Sequence, residues 1–331
     1  MTNTILVLGA TGGIGGEVAR AFLKRGWRVK ALTRRPEQAA ASRPDLTGVE
    51  WVDGDAMNAA SVTCHAAGAQ IIFHGAHPAN YANWEEWGIP MFQNSMAAAK
   101  EAGARLILPG NIYNFGPDAG SFVAETAPQH PLTVKGAIRV RMERMLADAS
   151  RDGVRSLVVR AADFIGPRSP SSWFGTAMVK PGKRVRAITY PGRADIGHGF
   201  AYLPDLAEAI ARLAEIDGTL APFEVVHFGG HWFDRGSDFI DAVGRAAGLD
   251  GIKVRRFPWF AIFLARPVWG LARGLWEMRY LWREPLRLDN AKLVSLIGPE
   301  PHTPTDAMLR ATLQGMGCLP AREPVRRLAA A

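Results

Sequence analysis

Short apolar runs recur along the first 160 residues and alternate with stretches in which apolar residues return every three or four positions. A continuous apolar run is typical of a strand buried on both faces of a parallel sheet, whereas the longer spacing is typical of an amphipathic helix. The predicted strands are residues 5–8, 29–33, 49–52, 70–73, 105–108 and 156–159. Five crossovers between six such strands predict a doubly wound α/β fold.

A glycine-rich loop connects the first predicted strand to the first predicted helix. Glycines three residues apart let the backbone turn tightly and approach a pyrophosphate, whose charge the helix N-terminus stabilises. The strand before the loop and the helix after it distinguish this motif from an ordinary glycine-rich turn. The motif predicts a Rossmann-type dinucleotide site whose contacts come from Gly9, Thr11, Gly12, Gly13, Ile14 and Gly15.

The end of the second predicted strand carries Thr33, Arg34 and Arg35, where an NAD site usually has an acidic residue for the ribose 2′-hydroxyl. Arginine pairs with a 2′-phosphate, so NADP(H) is favoured over NAD(H). The alternative is that both arginines are solvated charges at a strand end. Asp55, after the third strand, is either a partner of the adenine amino group or a helix cap.

The regular alternation ends after residue 166, where residues 167–172 are rich in Pro and Ser. A predicted helix over 205–214 and a predicted strand over 223–228 then return to the sheet. We therefore assign residues 1–170 and 196–230 to an NADP(H)-binding Rossmann domain. A smaller α+β substrate-binding domain takes residues 171–195 and 231–331.

Cysteine spacing and apolar runs limit where this chain is expected to act. Cys64 and Cys318 lie far apart, and neither has a Cys or His partner at metal-ligand spacing, which argues against a disulfide framework and a metal site. The first strand leads directly into the glycine loop, so no signal peptide is expected. The longest apolar stretch, residues 257–276, contains Arg266 and Arg273, too much charge for a membrane span. A cytoplasmic location is the expectation.

Residues 252–288 hold eight basic and two acidic residues, most of the formal net charge of +8. Tryptophan and phenylalanine recur there at helical spacing, which predicts an amphipathic hairpin or a helix bent at Pro267. Its apolar face has three interpretations: ordinary packing, a wall for a hydrophobic substrate, or weak membrane-surface contact through residues 257–283. Nucleic acid is not expected because no recognition module accompanies the charge. A homodimer is left open.

Four motifs together resemble the extended short-chain dehydrogenase/reductase family, often labelled NAD-dependent epimerase/dehydratase. They are the glycine spacing at residues 9–15, Asp55 after the third strand, residues 111–116 after the fifth and residues 160–167 after the sixth. The resemblance covers about the first 230 residues and is specific for fold and cofactor rather than substrate. It implies further cofactor contacts from Asp55, Ala56, Pro109 and Phe164.

The chain departs from this family at the catalytic helix. Alignment through Glu143 places Lys135 and Arg139 where the family has the tyrosine and lysine of a Tyr-x-x-x-Lys pair, and Asn111 ends the strand that usually carries Ser or Thr. The same helix is similar to that of isoflavone-reductase-like enzymes, in which a lysine replaces the tyrosine. That resemblance implies that Lys135 acts as acid, base or polarising group beside the nicotinamide and contacts the cofactor.

Helical spacing gives an independent argument about Lys135. It lies one turn from Arg139, on the face that also carries Ile138 and Met142, so both cations should point inward. Desolvation and repulsion from Arg139 would lower the pKa of Lys135 toward neutrality, where a general acid works best. The alternative is a surface lysine in the first turn, with Arg139 paired to Glu143.

The candidate catalytic residues are therefore Lys135, Asn111, Tyr113 and Arg139. Asn111 or Tyr113 would hydrogen-bond a substrate carbonyl; Tyr113 resembles a tyrosine that is mostly structural in the extended family. His74 and His77 lie near the expected cofactor crevice and receive no role. These residues predict an NADP(H)-dependent reductase or dehydrogenase of a small, hydrophobic carbonyl or enone. A sugar-nucleotide epimerase/dehydratase and a non-catalytic NADP(H) sensor are the alternatives.

Overall fold

The computed structural model describes residues 2–78, 83–169 and 172–319. Its strands are β1 (Thr4–Leu8), β2 (Arg28–Thr33), β3 (Val49–Asp53), β4 (Ile71–His74), β5 (Arg105–Asn111), β6 (Phe122–Val123), β7 (Arg155–Ala161), β8 (Asp163–Ile165), β9 (Ala187–Tyr190), β10 (His198–Tyr202), β11 (Phe223–Phe228), β12 (His231–Phe233), β13 (Lys253–Arg256) and β14 (Arg287–Leu288). Its α-helices are α1 (Gly13–Lys24), α2 (Pro36–Ser42), α3 (Ala59–Ala66), α4 (Ile89–Ala102), α5 (Val134–Ala149), α6 (Leu203–Glu215), α7 (Gly236–Ala246), α8 (Trp259–Ala265), α9 (Gly270–Glu277), α10 (Ala291–Ile297) and α11 (Thr305–Gly315).

Seven strands form the main sheet in the order β11-β7-β5-β4-β1-β2-β3, and all neighbouring pairs are parallel. The six strands predicted in the first half and the returning strand β11 are confirmed. β5 continues past its predicted end because Pro109 and Asn111 stay in register with Val159 and Ala161 of β7. Pairing with β7 thus extends β5 as far as Asn111, one of the candidate catalytic residues.

Helices cover both faces of this sheet because successive residues of its strands point to opposite sides. Ile5 and Val7 of β1 pack with Phe22 of α1 in the core on one face. Leu6 and Leu8 pack with helices α3, α4 and α5 in the core on the other face. The carboxyl ends of β1, β2, β4 and β5 therefore open at one edge, where doubly wound sheets bind ligands.

A third core lies among the C-terminal elements. Phe200 of β10 stacks on Phe239 of α7 with ring centroids 4.2 Å apart, and Trp282 stacks on His198 at 3.9 Å. β10 pairs with β8 and β12 in a sheet separate from the main one. The predicted domain division stays a prediction: its junction at residues 170–171 and its last residues, 320–331, lie outside the described residues.

The predicted interruption of residues 257–276 at Pro267 is confirmed. Helices α8 and α9 are separated by residues 266–269, which include Pro267. None of the helices within residues 2–78, 83–169 and 172–319 is both long enough and apolar enough to cross a membrane.

Candidate functional site

The glycine loop between β1 and α1 has a backbone that other residues would not fit. Gly9 adopts φ +90°, and a Cβ there would lie 2.6 Å from the Gly75 carbonyl oxygen. A Cβ on Gly15 would lie 2.3 Å from the Gly9 carbonyl oxygen. Gly12 precedes α1 without a capping side chain, so the first-turn N–H groups and the positive end of the helix dipole remain available to an anion.

Arg43, which is not among the predicted site residues, holds the backbone of this loop by hydrogen bonds. Its buried guanidinium donates hydrogen bonds to the carbonyl oxygens of Ala10, Gly12 and Thr11 at 2.9, 3.2 and 3.3 Å. The same guanidinium pairs with both carboxylate oxygens of Asp45 at 3.1 Å. Nothing in the periodicity around residue 43 marks it, because its partners lie about thirty positions earlier in the chain.

A cavity of about 590 Å³, here the Arg34 cavity, opens where β2 ends. The Arg35 guanidinium donates to Gln38 at 3.2 Å, and its backbone N–H donates to the Thr33 hydroxyl at 3.4 Å. The lining residues include no acidic side chain, so the cavity favours an anion. They are Thr11, Thr33, Arg34, Arg35, Gln38, Ala39 and Ser42.

A second cavity of about 550 Å³, here the Lys135 cavity, lies over the ends of β4 and β5. The glycine loop connects the two spaces, with Thr11 in the Arg34 cavity and Ile14 in the Lys135 cavity. The remaining walls of the Lys135 cavity are mainly apolar and aromatic. Predicted residues that line it are Ile14, Pro109, Asn111, Tyr113, Lys135, Arg139 and Phe164; residues not predicted include Trp173, Thr176 and Met278.

Lys135 lies in the first turn of α5, where the Thr133 hydroxyl caps the helix by accepting from the Gly136 N–H at 2.9 Å. Burial lowers the pKa of the Lys135 amine, and the negative charge of Glu277 on α9 partly offsets that shift. Lys135 and Arg139 both line the cavity, as their spacing of one helical turn predicts.

Arg139 is oriented by other partners. Its guanidinium lies 4.9 Å from the centre of the Trp84 ring and donates to the Pro109 carbonyl oxygen at 3.4 Å. Its charge contributes to the low pKa of His74.

Glu143 is bound by Arg160 rather than by Arg139. The alternative in which Arg139 pairs with Glu143 on the surface of α5 is therefore wrong. The buried carboxylate accepts from the Arg160 guanidinium at 2.7 and 3.1 Å and from the Asn114 amide at 2.8 Å. Arg160 also donates to Nε2 of His227 at 3.0 Å. Burial, and then the charge of Arg160, lower the pKa of His227 to about 3, so the neutral ring can accept this bond. The cluster fastens α5 to β7.

His74 ends β4 beneath the Lys135 cavity. Its Nδ1 lies 2.8 Å from the Ser95 hydroxyl, which itself donates to the Met91 carbonyl oxygen at 3.2 Å. The Ser95 proton is therefore used, so His74 carries its own proton on Nδ1 and a lone pair on Nε2. Burial, with the charges of Arg139 and His77, lowers the pKa of His74 to about 3, which keeps the ring neutral.

Asn111 and Asp55 each bind the backbone two residues further on. The side-chain oxygen of Asn111 accepts from the Tyr113 N–H at 2.9 Å, and that of Asp55 accepts from the Met57 N–H at 3.0 Å. The helix-cap alternative for Asp55 is wrong, because Asn58 caps α3 through the Ser61 N–H. Neither Asp55 nor Ala56 is among the described residues that line the two cavities. No group of three His, Cys, Asp or Glu side chains within the described ranges could hold a metal ion.

Comparison with known proteins adds a family context to this geometry. Residues 1–125 match the NmrA-like family. A Synechocystis protein that carries the name dihydroflavonol 4-reductase is 28% identical over 182 residues, 50% of this chain and 51% of that protein. An NmrA-like family domain-containing oxidoreductase of Aspergillus sp. is 38% identical over 72 residues, 22% of this chain and 21% of that protein. The chain therefore spans about half the length of the first of these curated relatives and about a fifth of the length of the second.

Solved structures match nearly the whole chain. UDP-glucuronic acid 4-epimerase of Bacillus cereus, in complex with UDP-glucuronic acid and NAD, superposes with a TM-score of 0.72 at 17% identity, over 95% of this chain and 98% of that one. dTDP-glucose 4,6-dehydratase of Streptomyces venezuelae, with NAD bound, gives 0.71 at 17% identity, over 94% and 96%. This chain shares the fold of both proteins. At this identity the likeness is one of fold, so the chemistry has to be argued from the site.

Proposed function

We propose that this protein is an NADP(H)-dependent reductase or dehydrogenase of a small, hydrophobic carbonyl or enone compound, with Lys135 handling the proton. The observation that carries the proposal is the position of the Lys135 amine. It lines a largely apolar cavity at the carboxyl ends of β4 and β5, joined through the glycine loop to an arginine-lined cavity at the end of β2.

The cofactor proposal rests on the fit of the backbone and of the arginines. The glycine loop is packed so closely that a Cβ at Gly9 or Gly15 would clash with neighbouring backbone atoms. The helix N-terminus that follows the loop suits a pyrophosphate. Arg34 and Arg35 would pair with a 2′-phosphate, which an acidic side chain would repel. When bound, the nicotinamide donates or accepts the hydride.

The residues of the Lys135 cavity would manage the rest of the reaction. In the reducing direction, the Lys135 ammonium donates a proton to the substrate oxygen, and its pKa, lowered by burial, eases that transfer. The Asn111 amide orients the same oxygen by a hydrogen bond. Arg139, held by Pro109 and Trp84, keeps a positive charge beside the reacting atoms. Trp173 and Met278 exclude water from the substrate.

Replacement of the amine tests the catalytic proposal. We expect Lys135→Met to lower kcat by about 100-fold or more for reduction of aromatic aldehydes and enones, because general acid catalysis contributes about that factor. Lys100→Met removes an exposed amine from α4 and should leave kcat unchanged. Calorimetry should show NADPH binding in both variants. A Lys135→Met protein as fast as the wild type would refute this role.

Cofactor preference is tested separately by calorimetry with NADPH and NADH. The wild type should prefer NADPH, and Arg34→Asp should weaken NADPH binding about ten-fold or more while changing NADH binding little. Arg144→Asp, on an exposed position of α5, controls for the charge change. Equal wild-type affinities would contradict the NADP(H) proposal. NAD retained tightly through purification would favour the epimerase, and NADPH binding with no turnover would favour the sensor.

A further inference from the structure

Exposed large apolar side chains concentrate on the α8–α9 hairpin. Across the described residues, five of the eleven such side chains lie between positions 260 and 269. Val268 is 90% exposed, Phe260 75% and Leu264 59%. Scattered exposed apolar residues are ordinary in proteins, whereas a cluster of this kind marks an interaction surface.

The two sides of the hairpin have different surroundings. Phe260 and Leu264 are one helical turn apart on α8 and share an outer face. Ile262, between them in sequence, is buried and lines the Lys135 cavity. Trp269 lines the same cavity yet remains 49% exposed, so it lies at the rim. The outer apolar face thus borders the opening of the cavity.

Basic side chains lie on the hairpin and on the segments next to it in the chain. The Arg266 guanidinium lies 4.0 Å from the Phe263 ring centre, and that of Arg279 lies 4.0 Å from the Trp276 ring centre. The strand that precedes the hairpin, β13, exposes Lys253, Arg255 and Arg256. Aromatic side chains with adjacent arginines suit the boundary between lipid headgroups and acyl chains.

We propose that the α8–α9 hairpin docks the protein on an anionic phospholipid surface, with Phe260, Leu264 and Val268 inserted between the headgroups. A second copy of the chain is a poorer occupant, because a two-fold contact would place two strongly basic patches against each other. Docking would set the rim residue Trp269 at the membrane. Resting on the proposed function, we further infer that the substrate is lipid-soluble and enters the Lys135 cavity from the bilayer.

Vesicle co-sedimentation tests the docking without any measure of turnover. We expect binding to vesicles of phosphatidylglycerol and phosphatidylcholine, weakened by salt and by omission of phosphatidylglycerol. Phe260→Ser/Leu264→Ser/Val268→Ser should weaken binding ten-fold or more, with Val294→Ser, another exposed apolar position, as control. Lys253→Gln/Arg255→Gln/Arg256→Gln should weaken binding more than Lys100→Gln/Arg144→Gln/Arg151→Gln, which removes as much charge elsewhere.

A fluorescent label makes insertion visible directly. In a Cys64→Ser background, whose other cysteine Cys318 is buried, an environment-sensitive dye on Val268→Cys should shift to the blue with anionic vesicles. The same dye on Val294→Cys should not. Absence of vesicle binding, equal binding by all variants, or sedimentation showing that the hairpin triple variant breaks a dimer instead would each overturn the docking proposal. Docking with no carbonyl reduction would reject the proposed function alone.

Discussion

The Lys135 amine lies directly under Gly274 of α9: a Cβ on Gly274 would be 3.4 Å from Nζ. That separation is ordinary van der Waals contact, so α9 passes over the amine and leaves room beside it for one methyl group. The same helix provides Glu277, whose charge acts on Lys135. The C-terminal hairpin therefore sets both the dryness and the electrostatics around the candidate acid.

Larger side chains at position 274 should displace the amine. Gly274→Ala adds only the contact at 3.4 Å and should preserve turnover. Gly274→Leu extends toward Nζ, and we expect kcat to fall about ten-fold or more, because small misplacements of a catalytic group are costly. Gly270→Leu is the control on α9, since a Cβ there meets nothing within 4 Å. Steady-state kinetics with unchanged NADPH affinity would support the prediction; full activity in Gly274→Leu would contradict it.

The pH profile should report the charge of Glu277. Reduction needs the Lys135 ammonium, so kcat/KM falls as pH rises through the pKa of that amine. Burial lowers this pKa and Glu277 raises it, so Glu277→Gln should move the alkaline limb to lower pH. Glu284→Gln, further along the same segment, should leave the limb in place. An alkaline limb at the same pH in Glu277→Gln would show that the limb does not report the pKa of Lys135.

Local patterns were enough to predict the main sheet and the glycine loop. The apolar strands and the loop at residues 9–15 depend on neighbours in the chain, and the inward face of α5 follows from helical spacing at Lys135 and Arg139. The predicted fold class is confirmed by the seven-stranded parallel sheet.

Interactions between distant segments could not be predicted in the same way. Arg43 donates a hydrogen bond to the glycine loop, about thirty positions earlier in the chain. Arg160 binds the carboxylate of Glu143, which helical spacing alone would pair with Arg139. β5 passes through Pro109 because β7 keeps it in register, which no local propensity indicates. Each difference is a tertiary contact that overrides a local pattern.

Acid should destabilise the fold through His227. Its pKa is about 3 in the folded protein and about 6.5 in an unfolded chain, so the unfolded state binds the extra proton between these values. Stability from this residue is present above pH 6.5 and is lost as pH falls toward 3. Urea unfolding at pH 7 and pH 5 should show a smaller drop in unfolding free energy for His227→Asn than for the wild type. An equal drop would assign the acid sensitivity to other groups.

Substitutions at Gly16 and Arg43 should have coupled effects on stability and NADPH binding. A Cβ on Gly16 would lie 2.2 Å from Nη1 of Arg43, the nitrogen that donates to the loop carbonyls. Gly16→Ala should therefore displace the guanidinium and resemble Arg43→Ala. Each should weaken NADPH binding and cost about 1–3 kcal/mol of unfolding free energy, because the buried Ala10 carbonyl group loses its donor.

The double variant distinguishes this coupling from two separate defects. Once Arg43 is truncated, the added methyl of Gly16→Ala no longer meets the guanidinium, and it suits helix α1 because alanine is favoured over glycine in helices by about 0.5–1 kcal/mol. The double variant should thus be no less stable than Arg43→Ala alone, with a coupling energy in the range of about 0.5–3 kcal/mol expected for residues in contact. Arg43→Ala combined with Gly244→Ala, on the distant helix α7, should be additive. Additive losses in the Gly16 and Arg43 cycle, measured by urea unfolding and NADPH calorimetry, would show that the loop does not depend on this contact.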